Sequence, residues 1–139
     1  MSYDPQNVFA KILRGELPCI KIYEDSETLS FMDIMPQTEG HVLVIPKEAA
    51  ETIFDLSPAS LAATILITQK VARAVRKALA APGVLIAQTN GVAALQSVPH
   101  LHFHIIPRRP DEKLRMHATI VENHEKLKQL AQKIIAALD

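Results

Sequence analysis

The chain has 139 residues, 48% apolar and 22% charged, enough for one domain with a sizeable core. Fifteen basic and fifteen acidic residues cancel, which excludes the electrostatic footprint of a protein that coats nucleic acid. The single cysteine, Cys19, excludes an internal disulfide or a Cys-rich metal knuckle and fits a reducing, cytoplasmic compartment.

Taken in chain order, Asp4 and Pro5 predict the cap and first turn of a short helix. Val8, Phe9, Ile12 and Leu13 form its apolar face and Gly15 its end. The charges scattered through this stretch do not make a signal peptide, and no later apolar run is long enough to span a membrane. "CIKIYED" and "ETLSFMD" read as two strands turning at Glu24-Asp25-Ser26, and "GHVLVIP", residues 40–46, as a third, central one. Ser57 and Pro58 open the longest helix, with Leu61, Ile65, Thr68, Ala72, Val75 and Leu79 as its predicted stripe and Pro82-Gly83 as its stop. "VLIAQTN" and "LHFHIIP" give two more strands around the loop "GVAALQSVP". A last helix over about 121–138 uses Leu127, Leu130, Ala131, Ile134 and Leu138. The expectation is a single α+β domain over residues 1–139. Its five-stranded, mostly antiparallel sheet has the long helix packed across one face and short N- and C-terminal helices.

Three of the six histidines, His100, His102 and His104, alternate within "PHLHFHIIPR". On a strand they share one side, while Leu101, Phe103 and Ile105 take the core side, so the imidazoles are expected to face a groove or solvent. Three readings follow: a solvated polar face, a metal site completed by a residue such as His41, or acid–base and nucleophilic chemistry. No acidic residue adjoins the cluster in sequence. The preceding loop supplies Asn90, Gln96, Ser97 and small residues whose N–H groups can approach phosphate oxygens, which suits phosphoryl or nucleotidyl transfer. His117 and His124 lie outside every motif and are expected at the surface.

"PHLHFHII" resembles the His-φ-His-φ-His-φ-φ signature of the histidine triad (HIT) nucleotide-binding proteins, where φ is apolar. "FMDIMPQTEGHVLVIPK" resembles the family's ribose-binding stretch and following strand, and "NVFAKILRGELP" its N-terminal helix. The three matches fall in family order and point to the bacterial, HINT-like branch. The resemblance implies a homodimer whose central strands join two sheets. It also implies hydrolysis at the α-phosphate of a purine nucleoside phosphoramidate or related nucleotidyl compound, releasing AMP through a nucleotidylated histidine and needing no cofactor. Dinucleoside polyphosphate hydrolysis and non-catalytic nucleotide binding are the alternatives. By the same resemblance His102 is the nucleophile, His104 contacts the phosphate, His100 orients the cluster and His41 stands behind it. Asp33 accepts from the ribose hydroxyls, and Asn90 and Ser97 surround the phosphate and leaving group. Val8, Phe9, Ile12, Phe31, Ile34 and Leu43 form the base pocket.

The chain departs from the pattern in two places. Zinc-holding members carry Cys-x-x-Cys and a later histidine where this chain has Asn7, Ala10 and Ala49, so no metal is expected. Leu95 stands where members usually have glycine and the backbone closely approaches the nucleotide. A leucine there disfavours positive φ and adds bulk.

Overall fold

A computed structural model describes residues 3–116 and 119–139, so the expectation for His117 lies outside the described residues. Its elements are α1 (Val8–Leu13), β1 (Lys21–Glu24), β2 (Thr28–Met32), β3 (Val42–Pro46), α2 (Pro58–Leu79), β4 (Gly83–Gln88), a single 3₁₀ turn at Val92–Ala94, β5 (Phe103–Arg108) and α3 (His124–Ala136). The strands form one antiparallel sheet in the order β1-β2-β3-β5-β4, the α+β architecture expected. Period-two alternation then gives the sheet two different faces.

One face is covered by α2 and α3. Met32, Val42, Val44, Leu101, Phe103 and Ile105 meet Val71, Ala74 and Val75 of α2 and Leu127, Leu130 and Ile134 of α3 in a continuous aliphatic core. The other face carries Leu29, Phe31, Leu43 and Ile45, against which the six-residue α1 packs, chiefly through Phe9, with Cys19 and Val98 beside it. Phe9 and Phe31 meet edge to face with centroids 5.5 Å apart.

Several local expectations shift. The cap of α1 is Asn7, whose side chain accepts from the Ala10 N–H at 2.9 Å, whereas Asp4 closes the preceding turn by accepting from the Gln6 N–H. Two residues with similar caps compete here, and the one adjoining the apolar run starts the helix. The fully buried stripe of α2 runs Ser60, Thr64, Thr68, Val71, Ala74 and Val75; Thr68 and Val75 are where expected, Leu61, Ala72 and Leu79 pack at its margin, and Ile65 is exposed. Thr64 and Thr68 fit inside because each hydroxyl donates to the carbonyl one turn back. The helix stops at Ala80, in the left-handed region with φ 49°, before Pro82-Gly83 is reached. α3 begins at His124, which is exposed, with Asn123 as its cap. The ladder of β5 begins only at Phe103, so His100 and His102 lie on the extended approach to it.

Gly40 fixes the start of β3. Its φ is +93°, and a Cβ there would sit 2.1 Å from Leu79 Cδ1 at the end of α2. This close passage delivers His41 to the sheet's sparsely covered face.

Candidate active site

The register of the sheet assembles the site row by row. Phe31 pairs with Leu43, Leu43 with His104, and His104 with Ala87, so these four side chains form one transverse row across β2, β3, β5 and β4. His102 is two residues back on the same face. Phe31, Leu43, His104 and His102, together with Val8, Phe9 and Ile12 of α1, Asp33, Ile34, Met35 and Ser97, line a cavity of about 380 Å³. That volume lies in the range of small-molecule sites.

The histidines are not solvated. His41, His100, His102 and His104 are 0, 0, 3 and 7% exposed, which corrects the solvent-facing alternative, while His102 and His104 face the cavity as a groove-facing strand would have them. The physical reason is a lid contributed from the chain start: Phe9 stands edge-on to His102 with centroids 4.9 Å apart, and Tyr3 edge-on to His100 at 5.6 Å. Burial pushes the His100 imidazolium pKa below its ordinary value, partly opposed by the hydrogen bond to the Pro46 carbonyl.

With each ring taken in its neutral form, hydrogen-bond partners assign the ring protons. The Gln37 backbone N–H donates to His41 Nδ1 at 3.0 Å, so His41 carries its hydrogen on Nε2. From there it points at His104 Nδ1, 2.9 Å away, and lies 3.5 Å from Asp33 Oδ2. His104 Nδ1 is thereby the acceptor and its own hydrogen is on Nε2. His102 Nδ1 donates to the His100 carbonyl at 2.7 Å, which places the His102 lone pair on Nε2. The rings of His102 and His104 stand 4.8 Å apart at 64°. A nucleophilic lone pair thus sits beside an N–H donor, the pairing that attack on a phosphorus centre with stabilisation of its oxygens requires.

Asp33 Oδ2, His41 Nε2 and His104 Nδ1 also lie close enough to hold a metal ion, all within 4.8 Å of one another. The donor set does not fit one well. His41 already accepts on Nδ1, so a metal at Nε2 would demand a doubly deprotonated ring, and the proton there serves the same three atoms. Asn7 and Ala10, at the zinc-cysteine positions of the resemblance, form the cap bond of α1 instead.

The loop residues occupy different positions. Asn90 accepts from the Ile53 N–H at 2.8 Å and pairs with the Gln88 amide, and Gln96 is buried between the Gly91 N–H and the carbonyls of Glu51 and Val98. Both side chains brace the loop and lie outside the cavity lining. Leu95 adopts the left-handed region despite its side chain, at φ 72°, and is 80% exposed, so its bulk points away from the cavity. Sequence reasoning missed Tyr3, and it missed Leu17, Pro18, Cys19, Met32, Met35 and Val98 in the cavity wall. Only the apolar residues flanking the recognised motifs could have signalled the last group. Among the described residues no helix is long and apolar enough to cross a membrane.

Known proteins share this arrangement. The HIT domain family matches residues 14–111. The adenosine 5'-monophosphoramidase of Schizosaccharomyces pombe is 42% identical over 105 residues, 76% of this chain and 76% of that protein. Among solved structures, a Hit-like protein of Bartonella henselae superposes with a TM-score of 0.93 at 44% identity, covering 99% of this chain and 100% of that one. A zinc-bound histidine triad family protein of Mycobacterium smegmatis does so with 0.83 at 38% identity, covering 95% and 92%. The family match spans more than half of the chain and includes all four buried histidines, and the chain belongs to the histidine triad (HIT) family.

Proposed function

We propose that the protein is a nucleotide-binding hydrolase that releases AMP from a purine nucleoside phosphoramidate or related nucleotidyl compound, without a bound metal. The observation that carries this reading is the tautomer pair: a lone pair on His102 Nε2 beside a hydrogen on His104 Nε2, at the inner end of an apolar cavity. The phosphoramidase relative in fission yeast supports the choice of substrate.

In the first step His102 Nε2 bonds to the α-phosphorus and the bond to the leaving amine breaks. The amine departs with a proton supplied by the Ser97 hydroxyl or a neighbouring imidazole. In the second step a water oxygen bonds to phosphorus as its proton passes to the group that had protonated the amine, the P–Nε2 bond breaks, and AMP leaves with His102 and that proton donor restored. His104 donates to a phosphate oxygen, and His41 holds His104 in the tautomer that can do so. Asp33 accepts from the ribose hydroxyls, its other oxygen being held at 2.8 Å by the Met35 N–H. Ile34, Val8, Phe9, Ile12, Phe31 and Leu43 enclose the base.

The proposal includes a homodimer in a reducing, cytoplasmic setting. β4 is a sheet edge that exposes Leu85 and Ile86, and the trough between it and α2 exposes Ile65, so a second copy adding at this edge would continue the sheet and cover them.

AMP release from an adenosine phosphoramidate, measured after chelator treatment, tests the reading. Wild type turns over and His102→Ala is slowed on the order of 10⁴-fold or more while still binding AMP. Turnover surviving in the variant overturns the role of His102, and wild-type turnover lost on chelation overturns the metal-free mechanism.

A further inference from the structure

We propose that Tyr3 is a positioning residue for the histidine cluster: its hydroxyl holds His100 in the Nε2–H tautomer, and the His100 carbonyl in turn fixes the His102 proton on Nδ1. The kinetic part of this inference rests on the hydrolase reading; the geometric part does not.

His100 is wholly buried, and its two ring nitrogens have unlike partners. Nε2 lies 2.8 Å from the Pro46 carbonyl, which can only accept, so the ring hydrogen is there. Nδ1 therefore bears a lone pair, and Tyr3 Oη, 2.6 Å away, must be its donor. The same residue's carbonyl accepts from His102 Nδ1 at 2.7 Å. Side chain and carbonyl of residue 100 thus join a hydroxyl near the chain start to the ring proposed as nucleophile.

Without that hydroxyl, His100 Nδ1 is a buried acceptor lacking a donor. Moving the proton to Nδ1 would regain nothing, since it would set a bare Nε2 against the Pro46 carbonyl, so the ring can recover a partner only by rotating, which withdraws Nε2–H from Pro46. The rotating side chain and the carbonyl that selects the His102 tautomer belong to the same residue, so strain on the ring bears directly on that carbonyl. Phe9 works alongside, edge-on to both His100 and His102 at 6.3 and 4.9 Å, so the first ten residues wall two of the three triad rings.

Tyr3→Phe keeps the ring and removes only the donor, and isotope-labelled histidine NMR reads the tautomers directly. In wild type His100 is protonated on Nε2 alone and His102 on Nδ1 alone. In Tyr3→Phe the His102 nitrogens become a tautomer mixture, and kcat for AMP release falls about tenfold with KM changed less than about twofold. Unchanged His102 signals in the variant overturn the proposal. Should wild type lack phosphoramidase turnover, the hydrolase reading falls, and the NMR comparison still decides the role of Tyr3. Should the variant not fold, the wild-type spectrum decides: His100 protonated on Nδ1 overturns the assignment, and on Nε2 supports it.

Discussion

The two faces of the sheet are made from the same strands and differ in what covers them. On one, the 22-residue α2 and the 13-residue α3 meet the strands in a continuous apolar core. On the other, a six-residue helix and an N-terminal tyrosine leave a cavity, and four histidines occupy the buried ground beneath it. The first face derives its stability from area removed from water. The second gives up part of that area to buried polar rings, each of which needs its hydrogen bonds satisfied. Stability and chemistry are therefore largely separated by side of the sheet, though β2, β3 and β5 serve both.

That separation can be broken experimentally. After loss of His102, the largest effect is expected from Leu127→Ala beneath α3. It should cost about 2–5 kcal/mol in a denaturant titration and leave KM unchanged, as a pure cavity in the closed core does. Ile34→Ala, half-exposed at the rim of the open face, should do the opposite, raising KM by roughly tenfold while stability moves less than about 0.5 kcal/mol. A KM defect in Leu127→Ala, or unfolding in Ile34→Ala, would show that the faces are not independent.

Acid sharpens the contrast. Burial holds the folded His100 below its ordinary 6.5, so as pH falls the unfolded chain takes up the proton first. Its contribution to stability is full above 6.5 and is lost as pH drops through the depressed folded value. Denaturant midpoints measured from neutral to mildly acid pH should decline in wild type and decline less in His100→Asn. An equal decline would place the acid-sensitive group elsewhere.

The smallest effect belongs to the loop beside the open face. Leucine at φ 72° is strained by about 1–2 kcal/mol, while glycine loses about 0.5–1 kcal/mol more through the unfolded chain. Leu95→Gly should therefore stabilise by about 0.5 kcal/mol, read from the denaturant midpoint. Destabilisation instead would mean that the exposed leucine packs against something in solution.

Much of this was legible in the residues, for identifiable reasons. The triad, the strand "GHVLVIP" and the stripe of α3 are local patterns whose spacing carries their meaning, and Asp33 to His41 lie in one continuous stretch. Within α2, Ile65 was misjudged as core and Thr64 overlooked, because an isoleucine looks like core and a threonine does not. Only the i−4 carbonyl, which takes up the hydroxyl, makes threonine an inner residue. The burial of His100 and His102 escaped because their cover comes from Tyr3 and Phe9, more than ninety residues away in the chain, as the 97-residue separation of the Tyr3–His100 bond illustrates. The bracing roles of Asn90 and Gln96 escaped for a related reason. An amide near a phosphate and an amide holding two loops together have the same sequence, and only the partners Ile53 and Glu51 distinguish them.

Gly40 has a consequence for how this protein can change over evolutionary time. The void its missing Cβ leaves is filled by the tip of Leu79, on the far side of the sheet from the chemistry. A larger residue at 40 is blocked twice, by the neighbour and by the left-handed backbone, and a smaller residue at 79 lifts only the first block. The left-handed backbone is the firmer of the two blocks, since the Leu79 tip is the end of a flexible side chain and Pro107 also borders the space. Substitution at 40 is thus expected to require that the turn bringing His41 forward be rebuilt first, whatever residue stands at 79.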